Sequence, residues 1–116
     1  MKAVRIFDIP ARDASDNPIF RGKVTVQTIL GGGPGELRAI VVNFSRGAAN
    51  VFHTHTFDQV LYVIAGRGIV ATEDREVMVT PGTLVHIPAG ERHWHGATED
   101  SAFSHIAIMP PGETEY

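Results

Sequence analysis

His53 and His55 stand one residue apart, and Gln59 follows four residues later between Gly47 and Gly66. In an extended chain these three positions share parity, so their side chains lie on one face and can converge if the strand stays in phase. Two imidazoles and a carboxamide oxygen brought to one point suit a divalent metal ion. All six histidines fall between positions 53 and 105, and the chain has no cysteine. Any metal must therefore be held by imidazole, amide or carboxylate, and nucleophilic or structural thiol chemistry is excluded.

A second segment runs Gly82-Thr-Leu-Val-His-Ile-Pro88-Ala-Gly90-Glu-Arg-His93. Pro88 presets one backbone angle of a turn and Gly90 permits left-handed or close-approach geometry, so the chain reverses and His93 begins the next strand.

These ligand candidates need a rigid frame, and the sequence predicts strands. Short segments are expected at residues 4–9, 23–30, 37–44, 58–65, 68–72, 76–79, 83–87 and 101–109, punctuated by Gly and Pro. In 37–44, Ile40, Val42 and Phe44 share one face and Ala39, Val41 and Asn43 the other, which predicts burial on both sides. No stretch keeps helical periodicity over three turns. The pattern is that of an all-β sandwich or barrel in a single domain, residues 1–116 with a core of about 22–109. The glycine run at 31–35 reads as a turn, because no Lys-Ser/Thr and no amphipathic helix follow it as a phosphate loop requires. The tail after Pro110-Pro111-Gly112 reads as loose.

A 116-residue chain can remove roughly two-thirds of its unfolded surface from water without staples. Its formal charge of −3 is mild and interspersed, which argues against nucleic-acid binding. No apolar run approaches a membrane span, and Arg5 and Asp8 interrupt any signal core. The expectation is a cytoplasmic protein that binds a small molecule and neither membrane nor nucleic acid.

The two segments together resemble the cupins. That family's first motif, G-x5-H-x-H-x3,4-E-x6-G, is matched by Gly47, His53, His55 and Gly66 with Gln59 in the glutamate position. The second, G-x5-P-x-G-x2-H-x3-N, is matched by Gly82, Pro88, Gly90 and His93, with Ala97 in place of asparagine. The resemblance implies a jelly-roll barrel and a metal held by His53, His55, Gln59 and His93. His93-Trp-His-Gly-Ala97 and Ser104-His-Ile-Ala-Ile108 are further similar to segments of the bacterial manganese-dependent cupin hydroxynitrile lyases, which use three His and one Gln. That likeness implies manganese first, with iron, zinc and nickel as alternatives, and lyase chemistry on a small hydroxy or carbonyl compound.

Gln59 keeps an oxygen donor but removes a negative charge, so an ion among four neutral ligands retains its full charge as a Lewis acid. His105, in phase with Phe103 and Ala107 on the last strand, is the expected catalytic base, since an unperturbed histidine titrates near neutrality. Ile40, Val42, Phe44, Phe57 and Leu61 are the expected pocket lining. His95 is expected to support the site rather than ligate, His86 to lie at the surface or an interface, and Trp94 to fill core or interface. An oxygen-dependent dioxygenase and a non-catalytic binding barrel are the competing readings. Cupins of this size commonly pair through their sheets, and an open edge near the N-terminal strand adds to the expectation of a homodimer.

Overall fold

The computed structural model describes residues 1–31 and 33–116. Among the described residues, thirteen strands carry the fold: β1 Arg12–Asp13, β2 Phe20–Arg21, β3 Val24–Gly31, β4 Arg38–Phe44, β5 Ala49–Asn50, β6 Thr54–His55, β7 Gln59–Gly66, β8 Gly68–Thr72, β9 Glu76–Val79, β10 Leu84–Ile87, β11 His93–Ala97, β12 Phe103–Met109 and β13 Thr114–Glu115. A six-stranded antiparallel sheet in the order β1-β3-β4-β12-β7-β10 and a five-stranded sheet in the order β2-β5-β11-β8-β9 form a jelly-roll barrel, and β13 pairs with β6 at its side. No helix among the described residues is long and apolar enough to cross a membrane.

Alternation decides which side chains enter the barrel. On β12, Phe103, His105, Ala107 and Met109 are buried, while the residues between them are half-buried or exposed. Each inward position has an inward partner across the ladder, as in Val42 opposite His105 and Ile40 opposite Ala107. β4 is buried on both faces through Ala39, Ile40, Val41 and Val42, as its two-sided apolar pattern predicts. Without correction this phasing would fail between β12 and β7, where Ser104 pairs with Ala65 but His105 pairs with Val63. The bulge takes up one residue of β7, so that Gly66 and Val63, of opposite parity, lie opposite the inward Phe103 and His105. Gly66, at φ 73°, follows directly, and a Cβ there would collide with the Ala102 carbonyl oxygen.

Two expected features differ. Residues 4–9 form no strand: Ile6–Asp8 is a single 3-10 turn. The reason is a side chain, since Gln27 Nε2 donates to the carbonyls of both Ile6 and Ile9 at 2.9 Å and ties this segment down by its turn. The tail is not loose, because Thr114 and Glu115 pair with His55 and Thr54. There the Thr56 N–H donates to Glu113 O at 3.0 Å, and the Glu113 N–H donates to Thr56 Oγ1 at 2.9 Å. The glycine turn expected at 31–35 includes Gly32, which lies outside the described residues; beyond it Glu36 N–H closes a turn on Gly33 O at 2.8 Å.

Candidate metal centre

Two segments far apart in sequence are locked together by a small bridge. The His53 N–H donates to His93 O at 2.9 Å and the His93 N–H to His53 O at 3.0 Å. Gly90, at φ 82°, donates its N–H to His55 O at 2.9 Å, so the Pro-Gly turn is fastened to the first histidine segment. The local conformations mirror each other: His53 Nδ1 lies 2.7 Å from Val51 O, and His93 Nδ1 lies 2.8 Å from Glu91 O. A carbonyl only accepts, so in both rings the proton sits on Nδ1 and the lone pair on Nε2. His55 Nδ1 is held at 2.8 Å by Thr114 Oγ1, from the tail strand.

One ring nitrogen from each of His53, His55 and His93 lies within 4.8 Å of the others, a group that could hold a metal ion. Gln59 joins them from the start of β7. Its Nε2 donates to Met109 Sδ at 3.9 Å, which turns Oε1 the other way. His55 Nε2, His93 Nε2 and Gln59 Oε1 are buried without any hydrogen-bond partner. Buried polar atoms are normally satisfied, so three unsatisfied lone pairs side by side fit a bound cation. All four donors are neutral nitrogen or oxygen atoms. Burial pushes the His53 and His55 imidazoles down to about 4, neighbouring imidazoles adding to the effect, and it lowers His93 as well. They are unprotonated at neutral pH, as ligands must be.

A cavity of about 360 Å³ opens on this set, walled by His53, His55, Gln59, His95 and His105 together with Ile40, Val42, Ala107 and Met109. His93 is not on that wall; its ring packs against His53 with centroids 4.2 Å apart. Of the other expected lining residues, Phe44 sits behind the wall, its centroid 5.6 Å from His105 and 6.0 Å from His95. Phe57 stacks on His55 at 4.7 Å and borders an adjoining cleft, and Leu61 is wholly buried in the core.

His105 is 0 % exposed, and its Nε2 lies 3.0 Å from His95 Nδ1. Asn50 holds His95 in turn, accepting its backbone N–H at 2.8 Å and placing Nδ2 3.2 Å from its Nε2. Burial pushes His105 down to about 3 and His95 well below its ordinary value, so the near-neutral titration expected for His105 is not what this environment gives. His86 is exposed and bonded to Asp58 at 2.8 Å, and Trp94 is half-buried. Reading the sequence alone missed Thr114, Asn50 and Met109. Only Asn50, a polar residue on an otherwise apolar approach to His53, carried a local signal.

The cupin domain model matches residues 40–114, which include every donor described above. The chain belongs to the cupin family. This cupin is 36% identical over 92 residues to the (R)-mandelonitrile lyase of Granulicella tundricola, covering 78% of this chain and 70% of that protein. It is 31% identical over 110 residues to the acireductone dioxygenase of Exiguobacterium sibiricum, covering 90% of this chain but only 59% of that one. A solved structure, a cupin-like protein from Thermotoga maritima, superimposes with a TM-score of 0.85 over 97% of this chain and 88% of its own, at 29% identity.

Proposed function

We propose that this cupin is a metal-dependent lyase that joins or separates cyanide and a small carbonyl compound, with His53, His55, Gln59 and His93 holding a divalent ion, manganese in the first instance. The carrying observation is that His55 Nε2, His93 Nε2 and Gln59 Oε1 are buried and unpartnered beside a cavity that His105 also walls. Iron, zinc and nickel fit the same donors. When bound among four neutral ligands, such an ion supplies Lewis-acid polarisation of a hydroxyl or carbonyl oxygen.

The chain's own residues do the rest. Ile40, Val42, Ala107 and Met109 give the cavity an apolar side that receives the substrate's carbon skeleton and excludes water. His105 takes the hydroxyl proton of a cyanohydrin as the bond to the nitrile carbon breaks, and the proton leaves with cyanide as hydrogen cyanide. His95 holds His105 through the 3.0 Å contact of their nitrogens, and Asn50 fixes His95. Burial disfavours an imidazolium at His105, so proton pick-up there is stabilised only while an anion shares the cavity. That restriction suits a reaction in which the anion and the proton appear together and depart together.

The relative at 36% identity is named a mandelonitrile lyase, which supports the reaction class more than the substrate. Resemblance to the acireductone dioxygenases supports a second reading, oxygen-dependent carbon–carbon cleavage. A homodimer belongs to the same proposal: only the two-residue β1 covers that sheet edge, and Tyr62, Leu84 and Ile108 are exposed on the same sheet.

The test is turnover of mandelonitrile and small aliphatic cyanohydrins by metal-loaded protein, with and without oxygen. His105→Ala should keep its metal content and lose about 100-fold or more of the rate. Full turnover by that variant removes His105 from the mechanism, and activity only in oxygen turns the reading to the dioxygenase.

A further inference from the structure

Two arginines stand where the barrel's inward phase reaches the mouth of the cavity. On β4, Arg38 has the parity of Ile40, Val42 and Phe44, and it pairs with Met109, whose sulfur meets the Gln59 amide. Directly opposed residues of an antiparallel ladder share a face. Arg38, Met109 and Gln59 therefore form one row along the inner wall, ending at a metal donor. A second row runs from Arg12 to Val26, from Val26 to Val42 and from Val42 to His105. It ends at the proposed proton carrier. Both arginines line the cavity that the metal donors and His105 face, and both also border the adjoining cleft beside Pro110–Gly112.

Neither guanidinium has an ion-pair partner among the described residues. Among the described residues the side-chain ion pairs are Arg67 with Asp100, His86 with Asp58 and Arg92 with Glu73. Asp13 and Asp16 line the same cavity, as do Asn17, Thr114 and Tyr116, yet neither aspartate lies within ion-pair distance of Arg12 or Arg38, and Asp13 Oδ1 accepts the Ser15 N–H at 3.0 Å within its own turn. Two fork-shaped cations at the entrance of a partly apolar cavity match a carboxylate, which guanidinium binds in bidentate fashion. The two aspartates on the same rim disfavour a second carboxylate.

We propose that Arg12 and Arg38 form a carboxylate-binding rim, so that the natural substrate is a small monocarboxylate with a hydroxyl or carbonyl group at its inner end. The proposal rests on the cavity being the substrate site, as above, but not on the lyase step. The rim fixes the orientation of the ligand, acid outward and reacting group inward, before any chemistry begins. It also makes charge, rather than apolar bulk, the first thing the entrance selects.

The experiment is calorimetric titration of levulinate and of its uncharged methyl ester into wild-type protein, Arg12→Gln, Arg38→Gln and the double variant, each metal-free and metal-loaded. Wild-type protein should bind the acid about tenfold or more tightly than the ester in both states. Each single variant should weaken the acid by about tenfold and leave the ester unchanged, and added salt should erode acid binding only. Equal binding of acid and ester, or acid binding untouched in the double variant, overturns the rim. Acid binding that needs the metal and ignores both arginines also overturns it while leaving the metal centre standing. A protein that retains no metal yet shows the arginine-dependent preference keeps the rim and sinks the metal reading instead. Absence of any binding at millimolar ligand counts against the rim.

Discussion

Five buried histidines divide into two groups by what their second nitrogen touches. His53, His55 and His93 each give Nδ1 to an oxygen, two of them carbonyls, and so turn Nε2 toward a common point. His95 and His105 turn their nitrogens on one another at 3.0 Å. Desolvation lowers the basicity of every ring in both groups. The same residue type thus becomes a candidate ligand where an oxygen fixes its tautomer, and the proposed proton carrier where another imidazole shares its hydrogen bond. In the proposed site, role follows from the acceptor behind the ring.

The comparison breaks most severely if a member of the first group is removed. His93→Ala takes away a donor and half of the His53–His93 side-chain packing, and metal retained through gel filtration should fall from near stoichiometric to trace. Full retention would mean that these donors are not the site. A gentler change is Gln59→Glu, which leaves the donor oxygen and adds a negative charge. It should hold a divalent ion more tightly in chelator competition and lower cyanohydrin turnover by about tenfold, because the added charge weakens Lewis acidity. Unchanged turnover would detach the glutamine from the chemistry.

Thr114→Val probes the acceptor itself, keeping shape while deleting the oxygen behind His55. Metal affinity should drop by about tenfold, at the low end for residues that orient a ligand, with the unfolding midpoint of the metal-free protein nearly unchanged. The effect that is smallest per residue at mildly acidic pH concerns both groups at once. Folded-state values near 4 for His53 and His55 and near 3 for His105 lie below the ordinary 6.5 of an unfolded histidine. The unfolded chain therefore binds protons that the folded chain refuses. Stability of the metal-free protein is greatest above about pH 6.5 and falls as pH drops from there toward about 4, by about 0.8 kcal/mol per group at pH 6. Urea midpoints measured from pH 7.5 to 4.5 read this directly, and a flat profile would show the rings to be charged or exposed.

Much of this was legible before the structure. The shared parity of His53 and His55, the Pro88–Gly90 turn before His93 and the inward phase of His105 are local features, written residue by residue; Gln59 reaches the same point from a separate strand, β7, in another sheet. The strand limits shifted by a residue or so at most ends. What was not legible depends on contacts between distant segments. Nothing in Ile6 or Ile9 announces that Gln27 will take their carbonyls, and nothing in the polar tail announces a threonine aimed at an imidazole. The basicity of His105 differs from expectation for the same reason, because a sequence states the ring and not the dielectric around it.

Thr114 and His55 are 59 residues apart in the chain. During synthesis the histidine is made well before the residue that orients it, and β13 can dock only once β7 to β12, which lie between them, have appeared. Pairings of such long sequence separation are slow to form, since loop closure must precede their reward. The donor set would thus reach its final orientation late in folding, after the barrel that surrounds it. A metal ion met before that moment would find two oriented histidines and a third still free to turn.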